Sequence, residues 1–235
     1  SGQLGKHYIP HFTGHLTGFV RKLIGTKVVN EEGALDHAYI PSYMHQRQRS
    51  FARSFGVQFN YQNRRLAPWA RQMEGFGSRL KKDIRERYPA YLQFSPYGEM
   101  LPEAGSTITL DPAKKDRFGL PKARVEVRYG ENERKLFAAM RSESRRILEA
   151  SGVEILDDQP EPRTNHELGG CRMGNDPAKS VVNAFCQSHD VPNLFVVDGS
   201  VFPSASEKNP TLTIMALAAR TADHIAEQFR KGKLG

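Results

Sequence analysis

Three stretches in the C-terminal third of the chain hold residue types that can do proton and cofactor chemistry. They are Asn165-His-Glu-Leu-Gly-Gly-Cys-Arg-Met-Gly174, Asn193-Leu-Phe-Val-Val-Asp-Gly-Ser-Val-Phe-Pro203 and Glu207-Lys-Asn-Pro-Thr-Leu-Thr-Ile-Met215. His166 in the first carries an imidazole, the side chain best poised for proton transfer near neutral pH. In the second, Asp198-Gly199 follows an apolar run that reads as a strand buried on both faces. Ligands gather at the carboxyl ends of such strands, and a glycine there lets backbone approach a cofactor. In the third, Asn209-Pro210-Thr211 reads as a helix start, with proline at the first helical position. A helix start presents unpaired amides and the positive end of its dipole, which suit an anion or a ring that becomes anionic. Taken singly, each has an ordinary explanation: a core histidine, a tight turn, an Asn-capped helix. Arg172 can neutralise an anion or pair with nearby acids, and Cys171 reads as packing.

These stretches need elements to position them. Phe19–Ile24 reads as a strand ending near Gly25, and Phe55, Val57, Phe59 and Tyr61 alternate as in a half-buried strand. Residues 68–88 read as one basic helix ending before Pro89. Tyr91–Ser95, Ser106–Leu110 and the alternating Val125, Val127 and Tyr129 read as further strands, with Asp111-Pro112 and Gly119-Leu-Pro121 marking a long turn. Turn residues rather than regular helices separate these strands, which favours an antiparallel sheet. Asn132–Ser151 is an amphipathic helix with Leu136, Met140, Ile147 and Leu148 on one face and Gly152 as its stop. Val153–Leu156 is a short strand, and the acidic, proline-containing Asp157–Thr164 is a crossing between structural units. The last helix keeps an apolar stripe through Leu212, Met215, Ala219, Ala222, Ile225 and Phe229.

Composition narrows the function classes. The chain has 235 residues and a formal charge of +8, and its 38% hydrophobic and 26% charged content is that of a folded protein. Much of the positive charge falls between Arg47 and Arg87 and reads as a solvated basic face. No zinc ligands, helix-turn-helix pattern or RNP-type aromatic strand accompany it, so nucleic acid is not the expected partner. His7, His11 and His15 lie four apart, but Pro10, Thr13, Gly14 and Gly18 oppose a helix and no carboxylate or cysteine stands close. No metal site is therefore expected. The two cysteines, Cys171 and Cys186, match no zinc or disulfide framework. No apolar run has the length of a membrane span, and the compartment, cytoplasm or periplasm, is not legible.

In their order, the three stretches resemble the C-terminal part of the glucose-methanol-choline (GMC) oxidoreductase family over residues 161–232. A looser similarity runs upstream. Leu4-Gly-Lys-His-Tyr8 is similar to the segment entering the family's substrate domain. Tyr97-Gly-Glu-Met-Leu-Pro102, Leu110-Asp-Pro112, Asp116-Arg-Phe-Gly-Leu-Pro121 and Tyr129-Gly-Glu-Asn132 resemble the sheet domain of bacterial sugar-oxidising members.

The resemblance implies an FAD enzyme that oxidises the CH–OH group of an alcohol, a sugar or glycoside, by hydride transfer to flavin N5. His166 matches the catalytic histidine that takes the hydroxyl proton, and Asn209 the second active-site position, which holds the substrate oxygen. Asp198 and Gly199 match positions at the ribityl-diphosphate region, and Asn209, Pro210 and Thr211 the helix start facing the flavin ring. Gln93, Tyr97 and Glu99, on or just after a strand, are candidate substrate contacts, with a surface role as their plain alternative. The implied fold is α+β and α/β: a mainly antiparallel substrate domain (13–160) with helices on one side, preceded by the end of a linker (1–12). The C-terminal part of a Rossmann-like FAD domain (161–235) completes it. The family's Gly-x-Gly-x-x-Gly fingerprint is absent from these residues. The expectation is a C-terminal fragment whose missing FAD-binding half comes from the same protein or a separate chain. The alternatives are a non-catalytic binding module on the same scaffold and a basic partner- or nucleic-acid-binding protein. The electron acceptor stays open.

Overall fold

A computed structural model describes residues 1–27, 37–41, 49–61 and 68–233. In chain order the elements are β1 (Lys6–Tyr8), β2 (His11–Thr13), β3 (Leu16–Val20), β4 (His37–Ile40), β5 (Phe55–Tyr61), α1 (Gly77–Arg87), β6 (Tyr91–Gly98), β7 (Thr107–Lys115), β8 (Pro121–Glu126), α2 (Glu131–Ala150), β9 (Val153–Asp158), β10 (Arg163–Asn165), β11 (Gly169–Gly170) and α3 (Thr211–Arg230). They form two compact units. Unit 1 contains Ser1–Phe12, Glu99–Arg134 and Thr164–Gly235, and unit 2 contains Thr13–Gly98 and Lys135–Arg163. Residues 99–134, assigned on sequence to the 13–160 stretch, thus cluster with the residues that carry His166.

Unit 2 is built on antiparallel strands in the order β4-β5-β6-β3-β9. β5 is a strand as expected, but its burial does not alternate: Phe55, Gly56 and Val57 are all buried, and Gln58 and Phe59 are both half-buried. Gly18 in β3 lies so close to β9 that an added Cβ would stand 2.5 Å from the Glu154 carbonyl oxygen, so this strand pair tolerates only glycine there. Phe19, Trp69, Ala90 and Tyr91 form a core cluster with Leu23, Met73, Ile84 and Tyr88 against it. Burial of each large side chain is worth about 1.5–3 kcal/mol. Within this unit α2 buries Phe137, Met140, Ser144 and Leu148, the helical spacing expected of its apolar face. The helix is tied to β9 by Arg141 Nε and Arg145 Nη2, which donate to Asp158 at 2.8 and 2.6 Å. Burial alone would raise the Asp158 pKa, but the two guanidinium hydrogen bonds outweigh it and hold the carboxyl below its ordinary value.

Two expectations for this unit change. The strand expected over Phe19–Ile24 ends at Val20 and continues as a 3₁₀ turn, Arg21–Leu23. The basic helix expected over 68–88 is broken into a 3₁₀ turn, Pro68–Gln72, and α1. Gly75 and Gly77 adopt positive φ (108° and 66°) between them, a conformation that ends a right-handed helix. The basic run falls partly outside the described residues; within it α1 has no buried residue.

Unit 1 carries a second antiparallel sheet, in the order β11-β1-β7-β8. The long turn expected around Asp111-Pro112 is instead strand: β7 runs to Lys115, and Asp116–Leu120 forms the turn. Within the unit, buried Glu133 accepts from Leu101 N (3.2 Å) and Asn132 Nδ2 (3.1 Å) through Oε1, and from Gly130 N (3.0 Å) through Oε2. This is the reach-back half of a capping box at the start of α2. Leu194–Val197, expected as a buried parallel strand, forms only an isolated antiparallel bridge between Phe195 and Gln187, and Leu194 and Val197 are exposed. A parallel strand needs flanking strands to satisfy its amides, and among the described residues none pairs with it.

α3 packs through residues that alternate with its expected stripe. Leu217 lies on a cluster of Val182, Cys186 and Val201, and Thr221 is the buried residue of the helix, its Oγ1 donating to the Phe185 carbonyl at 3.2 Å. Leu212, Met215 and Phe229 of that stripe are exposed. No helix among the described residues is long and apolar enough to cross a membrane.

Candidate active site

The site grows out of the β1–β11 pairing in unit 1. Lys6 stands opposite Gly170 and Tyr8 opposite Gly169, and two further backbone bonds, Gly5 N to Gly170 O (2.7 Å) and Ile9 N to Leu168 O (2.9 Å), extend the contact in both directions. Two residues beyond Ile9, this antiparallel run delivers His11 to His166. Their Nδ1 atoms are 3.0 Å apart and the rings meet edge to face at 5.1 Å. His11 is fully buried and His166 half-buried. His166 adopts φ 52° and its N–H donates to Asn165 Oδ1 at 2.9 Å. A positive φ is uncommon outside glycine and marks a residue held in place by its surroundings.

Electrostatics keeps both rings neutral. Burial, then the neighbouring His166, pushes the His11 pKa down to about 4, against a backbone hydrogen bond with Ser206 and the charge of Glu207. Burial also holds His166 below the ordinary histidine value. Because the folded-state pKa of His11 lies below the unfolded value, the unfolded chain takes up the proton first as the pH falls. Stability is therefore present above the unfolded pKa near 6.5 and is lost as the pH falls from there toward 4. The expected loss from this group is about 2 kcal/mol between about pH 7 and pH 5. Chemical unfolding of the full-length protein at both pH values, wild type against His11→Asn, checks it; an equal pH dependence in the two would refute it.

The Asp198-Gly199 turn sits against the residues that follow His166. Gly199 is buried, and an added Cβ would stand 2.7 Å from Leu168 Cδ2 and 3.0 Å from the Glu167 carbonyl oxygen. Cys171 N and Met173 N donate to the carbonyls of Ser200 and Val201 at 2.9 and 2.8 Å. Asp198 is exposed and caps the Gly199–Val201 turn, its Oδ1 accepting from Ser200 N (2.8 Å) and Ser200 Oγ (2.5 Å). Burial raises the Cys171 thiol pKa, as for a packing residue rather than a reactive one. Arg172 Nε is buried with no partner among the described residues.

The helix start differs by one position from expectation. Pro210 occupies the N-cap of α3 and Thr211 is its first residue, with no side-chain cap. The first-turn amides are thus left to a ligand or solvent. Asn209 is exposed beside them, and among the described residues no hydrogen bond joins it to His166. The substrate candidates fall elsewhere. Gln93, in unit 2, spends its amide on His15 Nδ1 and Ser95 Oγ, each at 3.1 Å. Tyr97 in unit 2 and Glu99 in unit 1 are buried, which removes a surface role for both. Among the described residues no group of three or more potential metal ligands is present.

Sequence reasoning missed His11 and Glu207. His11 was weighed only as part of a His-x-x-x-His spacing, and nothing local signals a partner 155 positions away.

Comparison with known proteins shows the family. The GMC oxidoreductase model matches residues 102–218. The chain is 35% identical to 2-methyl-1,2-propanediol dehydrogenase of Mycolicibacterium austroafricanum over 97% of its own length and 43% of the relative's. The chain belongs to the GMC oxidoreductase family. It is also 32% identical to the fructose dehydrogenase large subunit of Gluconobacter japonicus, over 77% of this chain and 34% of that one. In fold it is similar to formate oxidase (TM-score 0.63, 12% identity, 97% of this chain and 48% of that one). It is likewise similar to pyridoxine 4-oxidase from Mesorbium loti (TM-score 0.54, 16% identity, 96% and 44%). GMC oxidoreductases are FAD-dependent. The chain spans less than half the length of these relatives.

Proposed function

We propose that this GMC chain supplies the catalytic pair and the closing part of the flavin site of an enzyme that oxidises a CH–OH group of a sugar or other polyhydroxy alcohol. The observation that carries the reading is the half-buried imidazole of His166, neutral near pH 7 and held against His11 on a strained turn. Such a group can accept a hydroxyl proton. Asn209, at the mouth of α3, holds the substrate oxygen. The names of two relatives, a propanediol dehydrogenase and a fructose dehydrogenase subunit, support the substrate class.

The residues present fit FAD. The uncapped amides of Thr211 and its neighbours, with Asn209 and Pro210, face an electron-rich ring favourably through the helix dipole. The Asp198 carboxylate is exposed, and its Oδ2 makes no hydrogen bond among the described residues. Arg172 Nε is a buried donor open to an anionic group. Bound flavin supplies the hydride acceptor. In this reading residues 13–160 furnish most of the substrate-binding domain, with Gln93, Tyr97 and Glu99 as candidate polar contacts. Residues 161–235, with 1–12, belong to the FAD-binding domain, and a further FAD-binding half completes the enzyme.

The test is anaerobic mixing of the full-length, FAD-loaded protein with a panel of diols, hexoses and glycosides. Loss of the oxidised flavin absorbance with at least one polyhydroxy alcohol is expected. A yellow protein that no alcohol bleaches would instead support a binding module on the same scaffold.

A further inference from the structure

We propose, on the reading of this chain as part of an alcohol-oxidising enzyme, that His15 and Gln93, locked together through Ser95 on the sheet of unit 2, form a recognition site for a neutral hydroxyl group of the polyhydroxy substrate.

The sheet sets the place. Gln93 and Ser95 lie two apart in β6 and so share a face. His15 stands one residue before β3, where the β3–β6 register, Leu16 opposite Phe94 and Thr17 opposite Gln93, brings it beside Ser95. Leu16 and Phe94, on the other face, are buried. Gln58, half-buried, stands opposite Ser95 on β5 and adds a further amide to the same face. All of these residues belong to unit 2.

Hydrogen bonding sets the chemistry. Gln93 Nε2 lies 3.1 Å from His15 Nδ1 and donates to Ser95 Oγ at 3.1 Å, and His15 Nδ1 is itself 3.1 Å from Ser95 Oγ. Ser95 is buried, whereas His15 and Gln93 are half-buried. Two donors or two acceptors at that separation would repel, so His15 Nδ1 accepts from the Gln93 amide. A neutral imidazole then carries its proton on Nε2, and the amide keeps its carbonyl oxygen for another partner. Neither His15 Nε2 nor Gln93 Oε1 has a hydrogen bond among the described residues, and neither is a buried atom. The pair thus offers one N–H donor and one oxygen acceptor. Turning the amide and moving the proton to Nδ1 exchanges the two roles and leaves the pair complementary. A hydroxyl donates and accepts, so it satisfies both groups, while a carboxylate can use only the donor and an ammonium only the acceptor. Burial holds His15 below the ordinary histidine value, in keeping with an uncharged ring. The lock through Ser95 fixes both side chains before a ligand arrives, which lowers the ordering cost of binding.

The experiment titrates the full-length, FAD-loaded protein, nitrogen-15-labelled in histidine, anaerobically at about pH 8, where an imidazole is neutral. The probes are fructose, 2-methyl-1,2-propanediol and 2-methyl-1-propanol, which keeps the diol's skeleton and drops one hydroxyl. The His15 ring signals, assigned by their loss in His15→Phe, are expected to shift with at least one of the two polyhydroxy probes and less with the monohydroxy one. His15→Phe and Gln93→Leu should each raise the calorimetric dissociation constant of that probe about tenfold. The double variant should fall well short of the roughly hundredfold loss that independent groups would give, because the two serve one hydroxyl. No shift with either polyhydroxy probe would overturn the proposal. So would unchanged dissociation constants in both variants, or equal binding of the monohydroxy probe. Should a variant not fold, the wild-type titration alone decides. Binding is read without turnover, so the two readings can fail separately. A probe that shifts His15 but never bleaches the flavin would keep this site and remove the alcohol-oxidising reading. Bleaching with no response at His15 would do the reverse.

Discussion

Replacing His166 with alanine in the full-length holoprotein is expected to lower turnover by about 10²–10⁴-fold, with flavin still bound. The side chain removed is the only part of the residue that reaches His11 Nδ1; the main chain of the turn is held independently through Leu168 O and the glycines of β11. The loss should therefore appear in the chemical step and not in cofactor content. Flavin absorbance of the purified variant and its single-turnover bleaching rate separate the two. Wild-type bleaching by a His166→Ala variant would end the assignment of this residue as base.

A second large effect is expected at Gly169. It adopts φ 77°, and an added Cβ would lie 2.1 Å from the His7 carbonyl oxygen and 2.9 Å from Ile9 Cγ1. The oxygen is backbone and cannot swing aside, so β1 and β11 must separate. The left-handed backbone costs about 1–2 kcal/mol and the overlap about 1–3 kcal/mol, for a total of about 2–5 kcal/mol in Gly169→Ala. Gly25 is the control: it has nearly the same φ, 78°, with nothing within 4 Å of its added Cβ. Gly25→Ala should pay only the backbone part. Thermal or denaturant unfolding of both variants checks the difference, and equal destabilisation would show that the close approach is unimportant.

What sequence made legible depended on how local the signal was. α2 was readable because its buried residues recur at helical spacing and Gly152 follows it. β5 was readable as a strand because Phe55, Val57 and Phe59 recur at every second position, although burial does not follow that alternation. The family was readable because the stretches around His166, Asp198-Gly199 and Asn209-Pro210 keep its order. The break between Gln72 and Gly77 was not, because a glycine's positive φ is a choice made by tertiary context. Leu194–Val197 failed for a related reason: an apolar run states a preference for burial but not which partner will provide it. His11 was the least visible of all. Its contact with His166 comes from a strand register that joins the chain's beginning to residue 166, and no window of sequence contains both. The exposed Leu212 and Met215 were expected as core, since periodicity marks an apolar stripe without saying what lies over it.

The two units interleave along the chain, which passes from one to the other at Phe12/Thr13, Gly98/Glu99, Arg134/Lys135 and Arg163/Thr164. Three of those boundaries lie inside elements: β2, the start of α2, and β10. Homologous recombination exchanges contiguous segments, so no single crossover pair can transplant either unit alone from one family member to another. A chimera that replaces residues 13–163 would carry 99–134 with it, and one that spares 99–134 needs four junctions. A chimera meant to exchange one unit alone therefore needs four designed junctions rather than two.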